Sequence, residues 1–484
     1  MKSAETKKFP PIKFVQFGEG LFNRTLAIDI IQQLNDETTY CGSLAIVSLS
    51  SQSKEIKSSP CYKPISHIHY QGIVHGKPIQ KEKEITCIKD YIDPVSDFNS
   101  FISLAKIDTL KLVFTEYFND DHLILKGDFH KAPNQSSIGK LVQFLHARFF
   151  HFEGNFSKGL NILSITQTAP HQNFKGGIIR LIEQWNLEAS FLDWINQSCT
   201  FYDSFADRIV SSEPKRNIEN GGLALKLKHS LAVEPYFLWA IKGKAFPRPI
   251  NLFHSLDNDF RVVEELDSFI FRKKRVFDGI KMVIAIIGTC MNKDHIDDAL
   301  DDDFLADFIK GALTLEISST LKHRFNNLDI KTKSHPLNPK LVDQYHRQVL
   351  SRLNNPFITQ SLITIRKNIF EKFQDLILPI ILEYHQKMGY YPLRLIYVFA
   401  CFVDLYSKSD PRLEDHQEFV DFVKNLQTIP TFERVEAILG NKNIWARDLS
   451  QEPLLTEILY YALEQLTKNG IKRGFYFFYR NQIA

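Results

Sequence analysis

Residues 13–24 constrain the fold more than any other stretch: Lys13-Phe14-Val15-Gln16-Phe17-Gly18-Glu19-Gly20-Leu21-Phe22-Asn23-Arg24. An apolar run ends in Gly-x-Gly and passes directly into a helical pattern from Phe22 to Asn35. Strand, glycine turn and helix in that order open a nucleotide-binding βα unit. Gly18 permits the tight turn, and Gly20 lets the backbone approach a pyrophosphate closely. The helix start aims unpaired N–H groups and the positive end of its dipole at that anion. The usual third glycine is missing, with Asn23 and Arg24 in its region. The competing reading is a plain strand-to-helix turn. Arg24, one helical turn in, either reaches a phosphate or lies on the solvent face.

Residues 43–49 read as a second buried strand, where a βαβ unit needs one. An acidic residue at its end would bind a ribose 2′-OH. The chain instead reads Ser48-Leu49-Ser50-Ser51-Gln52-Ser53-Lys54, so NAD cannot be separated from NADP there. Ser50 and Lys54 would even tolerate a 2′-phosphate. Residues 65–75 alternate like a strand with His67 and His69 on one face, read as a solvated sheet face rather than a metal site. Residues 110–115 and 160–165 are further buried strands, with helical patterns between them, notably Gly139 to Phe150. Strands alternating with helices predict a doubly wound, largely parallel Rossmann-like sheet, with ligands at its carboxyl ends near Thr115 and Thr166. The cofactor-binding candidates are Phe17, Gly18, Gly20, Phe22, Arg24, Ser48 and Thr115.

From about Asp267 helical patterns dominate: 271–290, 304–323, 340–353, 358–387, 392–406 and 452–473. The reading is α/β: a Rossmann-like dinucleotide-binding domain over 1–266 and a mostly α-helical substrate and catalytic domain over 267–484. The active cleft is expected between them. Asp297 to Asp303 reads as a solvated turn at a helix start, and the tail Gly474 to Arg480 as an apolar docking segment.

A length of 484 residues suffices for two or three domains. A net charge of +3 gives no bulk electrostatic case for nucleic acid or an anionic membrane. The six cysteines form no Cys-x-x-Cys pair, which argues for free thiols in a reducing, cytoplasmic setting and against a zinc ribbon. The N-terminus is polar and short of a signal-like apolar core, and no run reaches the apolar length of a bilayer span. Small-molecule partners are expected, with no metal, and a monomer or homodimer.

The opening Val15-Gln16-Phe17-Gly18-Glu19-Gly20, with Phe22 and Arg24, resembles that of the polyol-specific long-chain dehydrogenase (mannitol dehydrogenase) family. Phe205 to Val210, Glu234-Pro235-Tyr236-Phe237-Leu238-Trp239 and Asn355-Pro356-Phe357-Ile358 resemble further segments of that family, in order. Leu382 to His385 and Ile438 to Asn441, with Trp445 and Asp448-Leu449, look like its tagaturonate reductase (altronate oxidoreductase) branch.

The resemblance implies metal-independent hydride transfer between NAD(H) and a ketose or keto-uronate such as D-tagaturonate. It also implies a catalytic Lys, an Asn five residues on and a His three further, sharing an arc of roughly 140° on one helix. Aligned on Asp267 to Val276, the Lys falls on Arg275, the Asn on Ile280 and the His on Val283. A guanidinium keeps its proton and cannot act as a base, and Ile280 and Val283 offer nothing polar. After the fourth strand the family's Asn-Thr-Thr-Glu becomes Glu116-Tyr117-Phe118-Asn119. Two readings follow. One is an active NAD(P)-dependent oxidoreductase with a rebuilt site drawn from Arg275, Lys274, Lys281, Asn173, Asp207 and Arg208. The other is a catalytically inactive paralogue that keeps the fold, with or without nucleotide binding, and serves as a sensor or scaffold.

Overall fold

The strand at the N-terminus is buried on both faces, and this decides the layering around it. In this computed structural model, Val15 and Phe17 enter one apolar core and Phe14 enters another. The structure describes residues 9–49, 65–74, 76–116, 129–167, 174–211, 230–244, 246–247, 249–256, 259–328, 332–358, 360–407 and 417–483. Two compact units emerge, 1–270 and 271–484.

The strands of the first unit are β1 (Ile12–Phe17), β2 (Ser43–Val47), β3 (His67–Val74), β4 (Lys77–Glu84), β5 (Ile88–Ile92) and β6 (Leu112–Glu116). They continue with β7 (Asn161–Thr166), β8 (Thr200–Asp207), β9 (Val210–Ser211), β10 (Ser230–Val233), β11 (Leu238–Lys242) and β12 (Asp259–Val263). The large sheet runs β12-β11-β8-β7-β6-β1-β2-β5. From β8 to β5 every neighbour is parallel, in the doubly wound order, and β11 joins antiparallel to β8. Helix α1 (Leu21–Glu37) follows β1 and leads to β2, whereas β6 lies on the other side of β1. The strand order therefore reverses at β1, opening a crevice at the carboxyl ends of β1 and β6, where such sheets take ligands.

One core packs Val15, Val47 and Val113 under the helices Phe98–Ala105, Ser137–His151 and Phe174–Gln184. The other packs Phe14, Ile46 and Phe114 under α1. Each such fully buried aliphatic or aromatic side chain contributes about 1.5–3 kcal/mol. Of a second sheet, β4-β3-β10-β9, the sequence reading held only the strand that becomes β3, because β4 is almost wholly polar. That sheet also corrects the solvated face assigned to residues 65–75. His67 lies 3.6 Å from Glu82, but His69 is buried, and burial lowers its pKa.

The second unit is helical. Asp267–Lys273 continues through a π-turn, Lys274–Asp278, into Gly279–Cys290. Asp302 caps the Asp303–Gly311 helix through the N–H groups of Phe304 and Leu305, which accounts for part of the acidic run. The single helix expected over 358–387 is three: Leu362–Ile365, Ile369–Leu376 and Leu378–Met388. Asn368 is left-handed at φ 53°, and Pro379 has no N–H to give the Asp375 carbonyl. The tail docks through buried Phe478 and through Phe475, which packs on Phe304 and Phe308, while Tyr476 and Phe477 stay exposed.

Candidate functional site

In the first unit the glycine turn folds as the switch point requires. Gly18 has φ +98° and donates its N–H to Val47 O at 2.9 Å. Gly20 caps α1 with no side chain of its own, so the helix start presents bare backbone. A Cβ on Gly20 would lie 2.1 Å from Glu116 Oε1, and one on Gly18 3.0 Å from the same carboxyl group. Burial and the charge of Glu19 push the Glu116 carboxyl up in pKa, against the pull of Asn23, the Gly20 N–H and Arg24. Glu116 Oε1 and Asn23 Oδ1 are buried acceptors without a hydrogen-bond partner among the described residues. The turn thus combines N–H donors suited to an anion with acceptors that want hydroxyl donors. A dinucleotide carries both groups, so these residues fit one.

Glu19 crosses from the turn to the end of β2. Its Oε1 accepts from Ser48 Oγ at 3.0 Å and its Oε2 from the Leu49 N–H at 2.7 Å. Gly18, Gly20 and Ser48 therefore come together as the sequence suggested, but other candidates do not join them. Phe17 is committed to the opposite core against Phe101 and Phe144. Phe22 packs against the α1 core. Arg24 is buried, which rules out the solvent face. Thr115 is buried and donates to the Glu116 carbonyl at 3.0 Å, and it is the next residue that reaches the turn. Glu19, Asn23 and Glu116 were missed; that β1 and β6 are neighbours was the signal for Glu116.

Of the catalytic candidates in this unit, Arg208 is not available. Its guanidinium is buried and pairs with Asp29 at 2.6 Å, while Nε donates to the Glu234 carbonyl. Tyr70 donates to the same Asp29, which makes the group an internal strut. Asp207 is buried at the end of β8, three strands from β1. Asn173, Ser50, Lys54 and the residues that follow Glu116 through Asn119 lie outside the described residues.

In the second unit the expected trio does not form. Ile280 and Val283 have no exposed surface and belong to the helical core. Arg275 Nη1 donates to the carbonyls of Asp375 at 3.0 Å and Leu376 at 3.3 Å, the groups left open where Pro379 breaks the helix. Burial lowers its pKa, and its guanidinium lies over Phe271. Lys274 pairs with Asp375 at 2.6 Å. Both side chains serve as braces.

A different trio converges two residues earlier. Lys273 Nζ is 2.8 Å from Asp278 Oδ2. Five residues along a straight α-helix point about 140° apart. The π-turn closes i→i+5 hydrogen bonds and stacks residues five apart, and so brings this pair into contact. Lys281, three further, has its pKa lowered to about 8, first by desolvation. Asp278 opposes that shift, and Lys273, Arg352 and Lys372 add to it. Lys273, Lys281 and Arg352 surround one ring, 5.9, 5.4 and 4.3 Å from the centre of Phe277. Counted from Lys273, the spacing Lys, plus five, plus eight reads Lys273, Asp278, Lys281. Three basic residues in a row, Lys273-Lys274-Arg275, hid the register in the sequence. The arrangement can hold an anion and move a proton at a side-chain amine near neutral pH.

Among the described residues no helix is long and apolar enough to cross a membrane, and no group of three or more His, Cys, Asp or Glu could hold a metal.

Residues 265–467 match the mannitol dehydrogenase C-terminal domain. The chain is 26% identical over 471 residues to an altronate oxidoreductase of Bacillus subtilis, covering 96% of this chain and 94% of that one. It is 24% identical over 508 residues to an altronate oxidoreductase of Pectobacterium carotovorum, covering 98% and 99%. Among solved structures, Pseudomonas fluorescens mannitol 2-dehydrogenase, in a ternary complex with NAD and D-mannitol, aligns with a TM-score of 0.67 at 14% identity, covering 97% of this chain and 95% of that one. A substrate-free D-sorbitol dehydrogenase gives 0.66 at 15% identity, covering 96% and 95%. At these identities the structural likeness concerns the fold, a parallel-sheet N-terminal unit with a helical C-terminal one.

Proposed function

We propose that the chain, whose residues 265–467 match the mannitol dehydrogenase C-terminal domain, is a member of that family and an NAD(H)-dependent oxidoreductase interconverting a keto-uronate with its aldonate. Its similarity to altronate oxidoreductases supports D-tagaturonate and D-altronate as the pair to try first. The observation that carries the reading is the Lys273–Asp278 pair across the π-turn, with Lys281 beside it at a pKa of about 8. At neutral pH roughly a tenth of such an amine is free, so it can donate a proton readily and accept one without a large rise in pH, as a group that must do both requires. The cations Lys273, Lys281, Arg352 and Lys372 against Asp278 favour a substrate that carries a carboxylate over a neutral polyol.

The chemistry that NAD supplies when bound is hydride exchange with the carbinol carbon. In oxidation the free amine of Lys281 takes the hydroxyl proton as the C–H electron pair leaves. In reduction the Lys281 ammonium donates a proton to the oxygen on which charge builds, and Lys273, held by Asp278, stabilises that charge. Gly18, Gly20 and the start of α1 hold the pyrophosphate, and Glu116 and Asn23 accept ribose hydroxyls.

The test is spectrophotometric: NADH consumption with tagaturonate, fructuronate or fructose, by the full chain and by Lys281→Ala. Turnover with the keto-acids, lost in the variant, is the expected result. A silent paralogue is the second reading, favoured by the acidic Glu116 lying against the glycine turn. Absence of turnover with every keto substrate would establish it over the first, and a titration with NADH would then separate a nucleotide-binding remnant from one that binds none.

A further inference from the structure

A cavity of about 510 Å³ lies wholly within the second unit, and none of Lys273, Asp278 and Lys281 lines it. Its size is in the range of small-molecule pockets, about 300–1,000 Å³. Four segments build its walls: the π-turn Ala312–Ile317, the end of Leu378–Met388, the start of Leu393–Ser407 and the last helix. That last helix, Leu455–Ile483, breaks at Gly470, at φ 72°, and returns on itself, with the Phe478 ring 6.0 Å from that of Tyr461. The returning arm brings Tyr479 to the cavity wall, from beyond the residues that match the family domain. We propose that this cavity is a binding site for a small aromatic carboxylate, held by the Arg394 guanidinium and packed among the rings of Tyr384, Tyr390 and Tyr479.

The cation sets the charge of the ligand. The Arg394 side chain is only 15% exposed, yet its Nε has no hydrogen-bond partner among the described residues. Its Nη1 donates to the neutral Tyr479 hydroxyl at a long 3.4 Å. The Glu316 carboxylate stands 3.7 Å from Nη1, and both of its oxygens serve the backbone, accepting the N–H groups of Arg394 at 2.9 Å and Leu395 at 3.0 Å. Burial pushes Glu316 up to about 7, against the pull of those two bonds and of Arg394, so near neutral pH it carries only part of a charge. A guanidinium so placed gains from a carboxylate that offers it two parallel acceptors. The rings set the body of the ligand. Tyr479 lies with its ring centre 4.8 Å from the Arg394 guanidinium, and the Tyr384 and Tyr390 rings are 5.6 Å apart. Leu393 and Ile458 add apolar wall. A further ring gains from edge-to-face or offset contact with such neighbours.

The experiment is a calorimetric titration of the full chain with benzoate and 4-hydroxybenzoate. Acetate supplies the charge without the ring, and benzyl alcohol the ring without the charge. The aromatic carboxylates are expected to bind with a Kd of about 1 mM or below, and each control at least about tenfold more weakly. Arg394→Gln should weaken benzoate at least about tenfold, and Tyr479→Leu about threefold. Leu315 is an exposed residue of the lining, so Leu315→Glu should spare the fold and weaken benzoate about threefold by repulsion. Lys281→Ala should leave benzoate binding within about twofold. No saturation by either aromatic carboxylate up to about 10 mM overturns the inference. So does benzyl alcohol binding as tightly as benzoate, or benzoate binding unchanged in a folded Arg394→Gln. Loss of benzoate in Lys281→Ala but not in the cavity variants overturns it too, by assigning the anion to the cations around Phe277. If Arg394→Gln does not fold, Leu315→Glu and Tyr479→Leu decide.

Discussion

The glycine turn after β1 and the π-turn at Lys274–Asp278 build their chemistry by opposite means. The first works mainly with backbone. Gly18 and Gly20 contribute by lacking side chains, and the start of α1 contributes N–H groups that any sequence would carry. The second works wholly with side chains, and Lys273, Asp278 and Lys281 meet because an extra residue per turn rotates them into line. A backbone site tolerates drift around it. A side-chain site is made or lost by register, and a two-residue error turns a proton-handling group into core hydrocarbon.

Removing the amine should give the largest effect. Lys281→Ala is expected to lower kcat about 10²- to 10⁴-fold with NADH affinity unchanged, measured by steady-state kinetics and titration. A variant with wild-type turnover would return the π-turn to a merely structural role. Lys281→Met also has a stability sign. Below pH 8 both folded and unfolded states carry the ammonium, and the folded one bears its desolvation. Between about 8 and 10.5 the folded state sheds that proton first and gains stability as pH rises. The Met variant should therefore unfold at a higher temperature than wild type at pH 7, and the difference should shrink across that window.

Asp278→Asn comes next. It leaves Lys273 without its carboxylate and removes the charge that supports the Lys281 ammonium. We expect about a tenfold loss of kcat and a shift of the oxidation pH profile to lower pH, since a free amine then appears sooner. A profile unmoved by this change would separate Asp278 from Lys281.

At the glycine turn, Gly20→Ala should weaken NADH binding about tenfold with little loss of stability, because the clash is with the flexible end of Glu116. Glu116 also sets a pH trend. Its pKa is raised, so NADH should bind more tightly as pH falls through that value, once the carboxyl group facing Gly20 is neutral. Glu116→Gln should flatten the trend, leaving Glu19 and Arg24 as the nearby charges.

Arg275→Gln should have the smallest effect on chemistry. We expect kcat within about threefold of wild type and a loss of about 1–3 kcal/mol in denaturant unfolding, from two carbonyls losing their donor. A collapse of activity with stability intact would favour the alignment on Arg275 over that on Lys273.

The strand-turn-helix, the parallel sheet and the helical second half were legible because each shows in local periodicity or in a short motif. The stretch over 358–387 illustrates the limit, since one apolar pattern covered three helices until Asn368 and Pro379 were placed. Arg208 and Phe17 looked available for chemistry because nothing local reveals that Asp29, or Phe101 and Phe144, will claim them. Glu116 escaped notice because it approaches Gly20 only through strand pairing.

By itself the sequence determined the order of elements and the backbone chemistry of the first turn, since apolar period and glycine spacing act over a few residues. Tertiary structure decided which side chains face one another. It placed Glu19 at the end of β2, tied Arg275 to the broken helix beyond Leu376, and used a π-turn to set Lys273 on Asp278. The physical reason is range. Periodicity reports which face of an element is apolar, but a single inserted residue in a helical turn rotates every later side chain, and only the packing around it fixes where that residue goes.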